Sequence, residues 1–352
     1  MFPASTFNAE SFAWAFSTLR ARCLPPADAG PGIALIPGLD LVNHAADAGP
    51  AWTPRGGGGG GLLAAAAAAA GVGGAANVES AATMALVASR AYAAGEQVYG
   101  SYGEDKLDSQ IALDYGFVDA AAPQPGYLLQ LSVPETDRFV DDKLDALEVA
   151  RLPASPQYAL RPGAAPPPAL LTYLRLMNLS GTDAFLLEPL FRDACWNIIS
   201  EPISLVNERA SCEGMIDGCS DALRGYTTSA AQDEQGLRAP GLTPRGALVR
   251  GACAGCVLGR ADARRQALRV RLGEKRALQA TLEAYQTMLA AAPRLEYYHE
   301  RRLRSLKLLD EGGKTTVRAR VMDSAACLRA DASALFISLP QYDPFNDSFG
   351  SW

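Results

Sequence analysis

The chain has 352 residues, a net charge of −6, 49% hydrophobic residues and 20% charged ones. That length can hold two domains, each with its own core, and the composition is that of a globular protein. The acidic balance argues against a nucleic-acid or anionic-membrane partner, because phosphate binding rests on clustered Lys and Arg.

The seven cysteines are scattered, at Cys23, Cys195, Cys212, Cys219, Cys253, Cys256 and Cys327. An odd count with irregular spacing argues against a disulfide framework and for a reducing compartment. Cys253 and Cys256 form the one tight pair, and no second pair stands at zinc spacing, so no metal is expected. The apolar stretch at 62–76 is Ala and Gly and is too short for a membrane span. The first residues, MFPASTFNAESFAWAF, lack the basic-then-apolar pattern of a secretory signal and the Arg-rich character of a transit peptide. The chain is expected to begin inside a folded element.

Residues 8–23 predict a helix, with Asn8 as N-cap, Glu10 in the first turn, and Phe12, Phe16, Leu19 and Cys23 on one face. A Pro- and Gly-rich loop follows, then 33–36 as a short buried strand stopped by Pro37. Residues 55–76 are low complexity, six glycines and then a run of seven alanines, and read as an insertion in a surface loop. Strands are expected at 84–92 and 97–102, and at 127–133 with Leu129, Leu131 and Val133 on one side.

After about residue 139 the pattern becomes helical. Asp183 is the expected cap of a helix through Ile199, with Leu187, Phe191, Cys195 and Ile198 on one face. Leu278, Leu282, Tyr285 and Leu289 mark another helix, and Leu295, His299, Leu303 and Leu306 a third. The mildly basic stretch at 264–276 reads as the solvated face of a helix. Residues 236–259 read as a second loop insertion, and 315–321 as a strand in a tail without an assigned role.

The two histidines, His44 and His299, restrict the chemistry. There is no G-x-S-x-G elbow for a Ser-His-acid hydrolase and no phosphate-binding P-loop. His299, on an apolar stripe, reads as a satisfied core histidine. Two segments concentrate unusual residues. In Pro37–His44, Asn43 and His44 bring amide and imidazole hydrogen-bonding groups to a strand end, where they serve a ligand or simply cap a turn. In 99–117, Tyr99, Tyr102, Tyr115 and Phe117 stand among glycines. They could be ordinary strand residues facing a core, or the walls of a narrow aromatic channel.

The two segments, in this order and with GEQVYGSYG between them, resemble the C-terminal part of a SET domain. FAWAFSTLRARC, ALIPGLDLVNH, LRLMNLSGTDAFLLEPLFRDACW, LRGYTTSAAQDEQ and LEYYHERRLRSLKLL look like successive stretches of plant Rubisco large-subunit lysine methyltransferases. The resemblance implies an α+β fold: a partial SET domain of short strands and loops at 1–125, then an all-helical Rubisco-substrate-binding-type domain at 126–312, with 313–352 as a tail. It implies methyl transfer from S-adenosyl-L-methionine to a lysine of a folded protein, Rubisco large subunit or a chloroplast aldolase. Tyr102 would be the catalytic tyrosine; Asn43, His44 and Phe117 would contact the cofactor. Tyr115 would flank the lysine, while Arg22, Asp40 and Trp52 occupy positions that resemble substrate-contacting ones. A monomer in the chloroplast stroma is implied as well. The family's glycine-rich cofactor turn does not precede residue 7, so the SET domain is expected to be N-terminally incomplete. The alternative is a catalytically incompetent short form that binds a partner through its helical domain; histidine instead of lysine as methyl acceptor also stays open.

Overall fold

A computed structural model describes residues 8–23, 35–48, 52–55, 83–88, 90–103, 105–239 and 260–308. Helix α1 (Ala9–Arg22) is capped as expected: the Asn8 side chain accepts from the Ser11 N–H at 2.8 Å, and Arg20 and Arg22 close the last turn. Its apolar stripe is not buried, however. Phe12 is 72% exposed, Phe16 53% and Leu19 46%. The helix meets α2 (Asp108–Tyr115) mainly through an Arg20–Asp114 ion pair, which covers little apolar surface.

The strand expected at 33–36 is not seen in its described part. Leu35 is exposed, and the chain passes through a turn at Gly38, φ 91°, into a 3-10 turn at Leu39–Leu41. Strand β1 (Asn43–His44) then pairs in parallel with β4 (Tyr99–Gly100). Between them, β2 (Trp52–Arg55) and β3 (Thr83–Leu86) form an antiparallel ribbon, Trp52 opposite Leu86. The expected strands at 84–92 and 97–102 are thus shortened to the residues that find a partner. Of the low-complexity tract, residues 56–76 lie outside the described residues.

Strands β5 (Tyr127–Gln130) and β6 (Gln157–Leu160) make a second antiparallel pair. The strand expected to reach 133 stops short. Pro156 precedes β6 and has no N–H to extend the ladder, and Pro134 follows on the other strand. Helices α3 (Val140–Val149), α4 (Pro168–Met177), α5 (Arg192–Ile199), α6 (Leu205–Arg224), α7 (Ala230–Arg238), α8 (Arg260–Ala291) and α9 (Tyr298–Ser305) follow. The helix expected from Asp183 to Ile199 is two pieces, a 3-10 segment at Gly181–Leu187 and α5. Pro189 separates them, because the residue before a proline is pushed out of the helical region. Asp183 caps no helix of its own. Its carboxylate accepts from the Ser204 hydroxyl, the N-cap of α6.

Two apolar clusters hold this half. One joins Ala146 and Leu147 of α3, Tyr173 and Leu176 of α4, and Cys195 and Ile199 of α5. The other joins Leu170 and Leu174 of α4, Cys212 and Met215 of α6, and Leu278 and Tyr285 of α8. Helix α4 serves both, which is why PALLTYLRLM is apolar on nearly every side. Each such side chain contributes about 1.5–3 kcal/mol by leaving water. Arg175 also lies inside, 4% exposed, because its charge is fully met. It forms a two-pronged ion pair with Glu208, at 2.8 and 2.9 Å, and donates to the Ile199 and Ser200 carbonyls at the end of α5.

Two expectations about charged helices change. The basic stretch 264–276 is only partly a solvated face: Lys275 is 2% exposed and donates to Asp233 and to Thr228, and Arg271 pairs with Asp233 too. His299 is not a core residue; it is exposed on α9, a short helix with no buried position. Of the expected loop insertion at 236–259, residues 236–238 complete α7, and 240–259, with Cys253 and Cys256, lie outside the described residues. So does the expected strand at 315–321. Among the described residues no group of His, Cys, Asp and Glu is arranged for a metal, and no helix is long and apolar enough to cross a membrane.

Candidate active site

The parallel pairing of β1 and β4 sets Asn43 opposite Tyr99 and His44 opposite Gly100. The Ala45 N–H adds a bond to the Gly100 carbonyl at 3.1 Å. Residues 42–44 and 99–102, nearly 60 positions apart, therefore form one surface. Tyr102 is clamped to it at both ends. Its backbone N–H donates to His44 Nδ1 at 3.0 Å, and its hydroxyl donates to the Val42 carbonyl at 2.8 Å. A ring nitrogen that accepts carries no hydrogen, so the neutral His44 tautomer is the one protonated on Nε2.

Helix α2 supplies the opposite wall. Tyr115 is its last residue, and Gly116 ends it in the left-handed region, φ 79°, a conformation that suits glycine. The chain turns there, and Phe117 comes back toward the same place. Ring centroids of Tyr102 and Tyr115 are 4.3 Å apart, of His44 and Tyr102 5.1 Å, and of His44 and Phe117 5.8 Å. Tyr102 and Phe117 meet edge to face at 6.3 Å. These are the separations at which aromatic pairs attract. Four ring-bearing residues thus pack into one cluster, three of them with polar groups.

A charged chain runs behind Tyr115. Lys106 Nζ donates to Asp114 Oδ2 at 2.9 Å and to the Tyr115 hydroxyl oxygen at 3.3 Å, and stands 4.7 Å from that ring's centroid. Arg20 Nε donates to the other Asp114 oxygen at 2.7 Å. Burial alone would lower the Lys106 pKa, but the Asp114 carboxylate and Tyr115 outweigh it and raise it above its ordinary value. Burial would likewise raise Asp114, and the bonds from Lys106 and Arg20 outweigh it and hold the carboxyl below its ordinary value. Gly103, φ 145°, lets the Lys106 stem pass: a Cβ there would come within 2.9 Å of Lys106 Cγ.

Two hollows flank the rings. A narrow crevice is bounded by Arg22, Leu39, Asp40, Val42, Tyr102 and Tyr115. Arg22 donates to the Asp40 carbonyl at 2.6 Å, and the Asp40 carboxylate accepts from the Gly38 N–H, closing its own turn. A larger cavity, about 280 Å³, lies on the other side of His44, among Ser101, Lys106, Asp108, Ile111 and Gln124. Burial pushes the Asp108 carboxyl up, although it accepts a bond from the Gln124 N–H at 2.8 Å.

The structure therefore brings Asn43, His44, Tyr102, Tyr115 and Phe117 together, with Arg22 and Asp40 at the adjoining crevice. Trp52 lies in the β2–β3 ribbon, which shares no ladder with β1 or β4. Sequence reasoning does not single out Lys106, Arg20 or the Val42 carbonyl, and treats Asp114 only as part of a motif. A Lys and an Asp eight positions apart, about two helical turns, were the available signal.

Residues 134–278 match the family described as Rubisco LSMT substrate-binding. The chain is 33% identical over 310 residues to the chloroplastic [fructose-bisphosphate aldolase]-lysine N-methyltransferase of Arabidopsis thaliana, covering 88% of this chain and 57% of that protein. It is 34% identical over 305 residues to the chloroplastic ribulose-1,5 bisphosphate carboxylase/oxygenase large subunit N-methyltransferase of Pisum sativum, covering 86% and 55%. A crystal structure of the SET domain of LSMT bound to lysine and AdoHcy matches with a TM-score of 0.62 and 30% identity, covering 92% of this chain and 64% of that one. The chain spans about half the length of the curated relatives it matches. Residues 134–278 thus match the Rubisco LSMT substrate-binding family, and over most of its length the chain is similar in sequence and fold to SET-domain proteins of the Rubisco LSMT type.

Proposed function

We propose that this chain takes part in S-adenosyl-L-methionine-dependent methylation of a lysine on a folded chloroplast protein, with Rubisco large subunit and aldolase as the first substrates to test. The observation that carries the reading is the ring cluster of His44, Tyr102, Tyr115 and Phe117, with Tyr102 held at both ends. A lysine amine, with a pKa of about 10.4 in water, is not nucleophilic while charged. Aromatic walls that exclude water favour its neutral form and confine it to one line of approach. When bound, the cofactor supplies an electrophilic methyl on a positively charged sulfur, a charge that aromatic faces accommodate.

In this reading Tyr102 is the catalytic tyrosine. Its hydroxyl hydrogen is given to Val42, so the oxygen keeps acceptor capacity for the reacting groups. Asn43, His44 and Phe117 hold the cofactor, and Tyr115 flanks the entering lysine. Arg22 and Asp40, at the crevice beside Tyr102, contact the protein substrate, and Trp52 does so from its ribbon. The SET-type region is residues 1–125, and the helical domain, 126–312, docks the substrate protein. In this reading the chain acts as a monomer in the chloroplast stroma; the relatives' names, which print chloroplastic, support the organelle.

The test is calorimetric titration with S-adenosylhomocysteine, followed by methyl transfer to Rubisco and to aldolase, with the modified residue identified by mass spectrometry. We expect one-to-one binding and methyl-lysine. Tyr102→Phe should lower transfer roughly 100-fold, the scale of a lost alignment, while S-adenosylhomocysteine binding stays within about twofold. A folded chain that binds nothing would overturn the reading, and methyl-histidine as product would redirect it.

A further inference from the structure

The wall residue Tyr115 is held from behind by a group that the ring cluster itself does not require. Lys106 lies just before α2, and its amine reaches Tyr115. It touches the phenol oxygen at 3.3 Å and lies 4.7 Å from the ring centroid. The amine cannot drift, because Asp114 takes a second of its hydrogens at 2.9 Å and is itself tied to Arg20 of α1 at 2.7 Å. Its stem is fixed as well, passing over the bare backbone of Gly103. Lys106 is only 26% exposed, so these bonds are shielded from solvent.

We propose that Lys106 is a positioning residue that orients the aromatic wall of the crevice by fixing the Tyr115 ring against Tyr102. This rests on the function proposed above. The physical argument is one of entropy. A tyrosine at a helix C-terminus next to a left-handed glycine has an unconstrained outer face unless something holds its hydroxyl. The two rings pack in contact, centroids 4.3 Å apart, so each fixes the other's place in the wall along which an amine must line up. A ring that rocks by even a few tenths of an ångström lowers the fraction of time the amine is aligned. Lys106 itself is a poor methyl acceptor, since its pairing with Asp114 keeps it charged. Arg20 and Asp114 make the same contact a link between α1 and the pocket wall, so the outer helix bears on the site.

The experiment uses the whole chain with tyrosines labelled with carbon-13 at Cζ, a nucleus sensitive to hydrogen bonding at the phenol oxygen. Tyr115→Phe assigns the Tyr115 signal. Lys106→Met keeps the stem over Gly103 and removes the donor, and Lys106→Arg keeps a donor, for which the adjoining cavity has room. We expect the Tyr115 resonance to move in Lys106→Met and to return toward its original position in Lys106→Arg. In transfer assays, Lys106→Met should lower kcat about tenfold with KM for the protein substrate unchanged, and Lys106→Arg should restore most of it. A Tyr115 resonance that does not move in Lys106→Met overturns the proposal, whatever the assay shows. Equal kcat in Lys106→Met and wild type also overturns it. A wild-type chain without transfer refutes the proposed function, while the resonance test of Lys106 still reads out.

Discussion

At the scale of single residues, the structure turns on side chains whose charge or polarity is met by named partners. Tyr102 is one, clamped between His44 and Val42, and the Tyr102→Phe experiment reads its hydroxyl. Arg175 and Glu208 are another case, 4% and 3% exposed at the junction of the two apolar clusters. A buried ion pair as a whole contributes little net stability, but removing one partner strands the other. Glu208→Gln should therefore destabilise the fold by about 3–5 kcal/mol, read from urea unfolding. Replacing both residues with apolar ones of similar volume should cost much less. If Glu208→Gln unfolds at the same urea concentration as wild type, Arg175 is solvated after all.

At the scale of elements, the contact of α7 with α8 depends on Asp233. It accepts from Lys275 at 2.6 Å and from Thr228 at 2.8 Å, and pairs with Arg271. Burial alone would raise its carboxyl pKa; the Lys275, Thr228 and Arg271 bonds outweigh that and hold it below the ordinary value. A carboxyl whose folded pKa is depressed adds stability that is complete above its unfolded pKa, about 3.9. That stability is lost as the pH falls from there through the folded pKa. Wild type should thus lose stability on acidification below about pH 4, and Asp233→Asn should be weaker at pH 7 and flatter across the acid range. Urea midpoints measured from pH 7 to pH 3 compare the two directly. Parallel curves would mean that the acid sensitivity comes from elsewhere, with Asp137 and Asp114, shifted the same way, as the next residues to change.

At the scale of the whole molecule, stability is unevenly distributed. Both large apolar clusters draw their buried residues from 146–285. Helix α1 has no buried residue, and β1 and β4 are two residues each. Local opening is easiest where few apolar contacts oppose it. Amide hydrogen exchange should be slowest in α4, α6 and α8 and fastest in α1, with β1 and β4 between. Adding S-adenosylhomocysteine should slow exchange at 42–44 and 99–103 more than in α6. Uniform protection across the chain would contradict the uneven core.

How much of this could be read beforehand differs between the two halves for physical reasons. A helix face repeats every few residues, so α8 and the Asn8 cap of α1 follow from local pattern. The motif residues Asn43, His44, Tyr102, Tyr115 and Phe117 were legible through resemblance, because each is short but their order is specific. Strand lengths were not, since a strand ends where its partner ends: Pro156 stops β6 and thereby β5, although Leu131 and Val133 continue the alternation. Nor could periodicity tell that Phe12 and Phe16 stay exposed, that His299 faces outward, or that Lys275 within a basic run is buried against Asp233. By itself the sequence determined the family resemblance, the helical character after residue 139 and the candidate ring residues, all of which depend on local pattern or ordered motifs. Only the tertiary structure decided that Val42 takes the Tyr102 hydroxyl and that Lys106 stands behind Tyr115, because those contacts join side chains to partners that no periodicity announces.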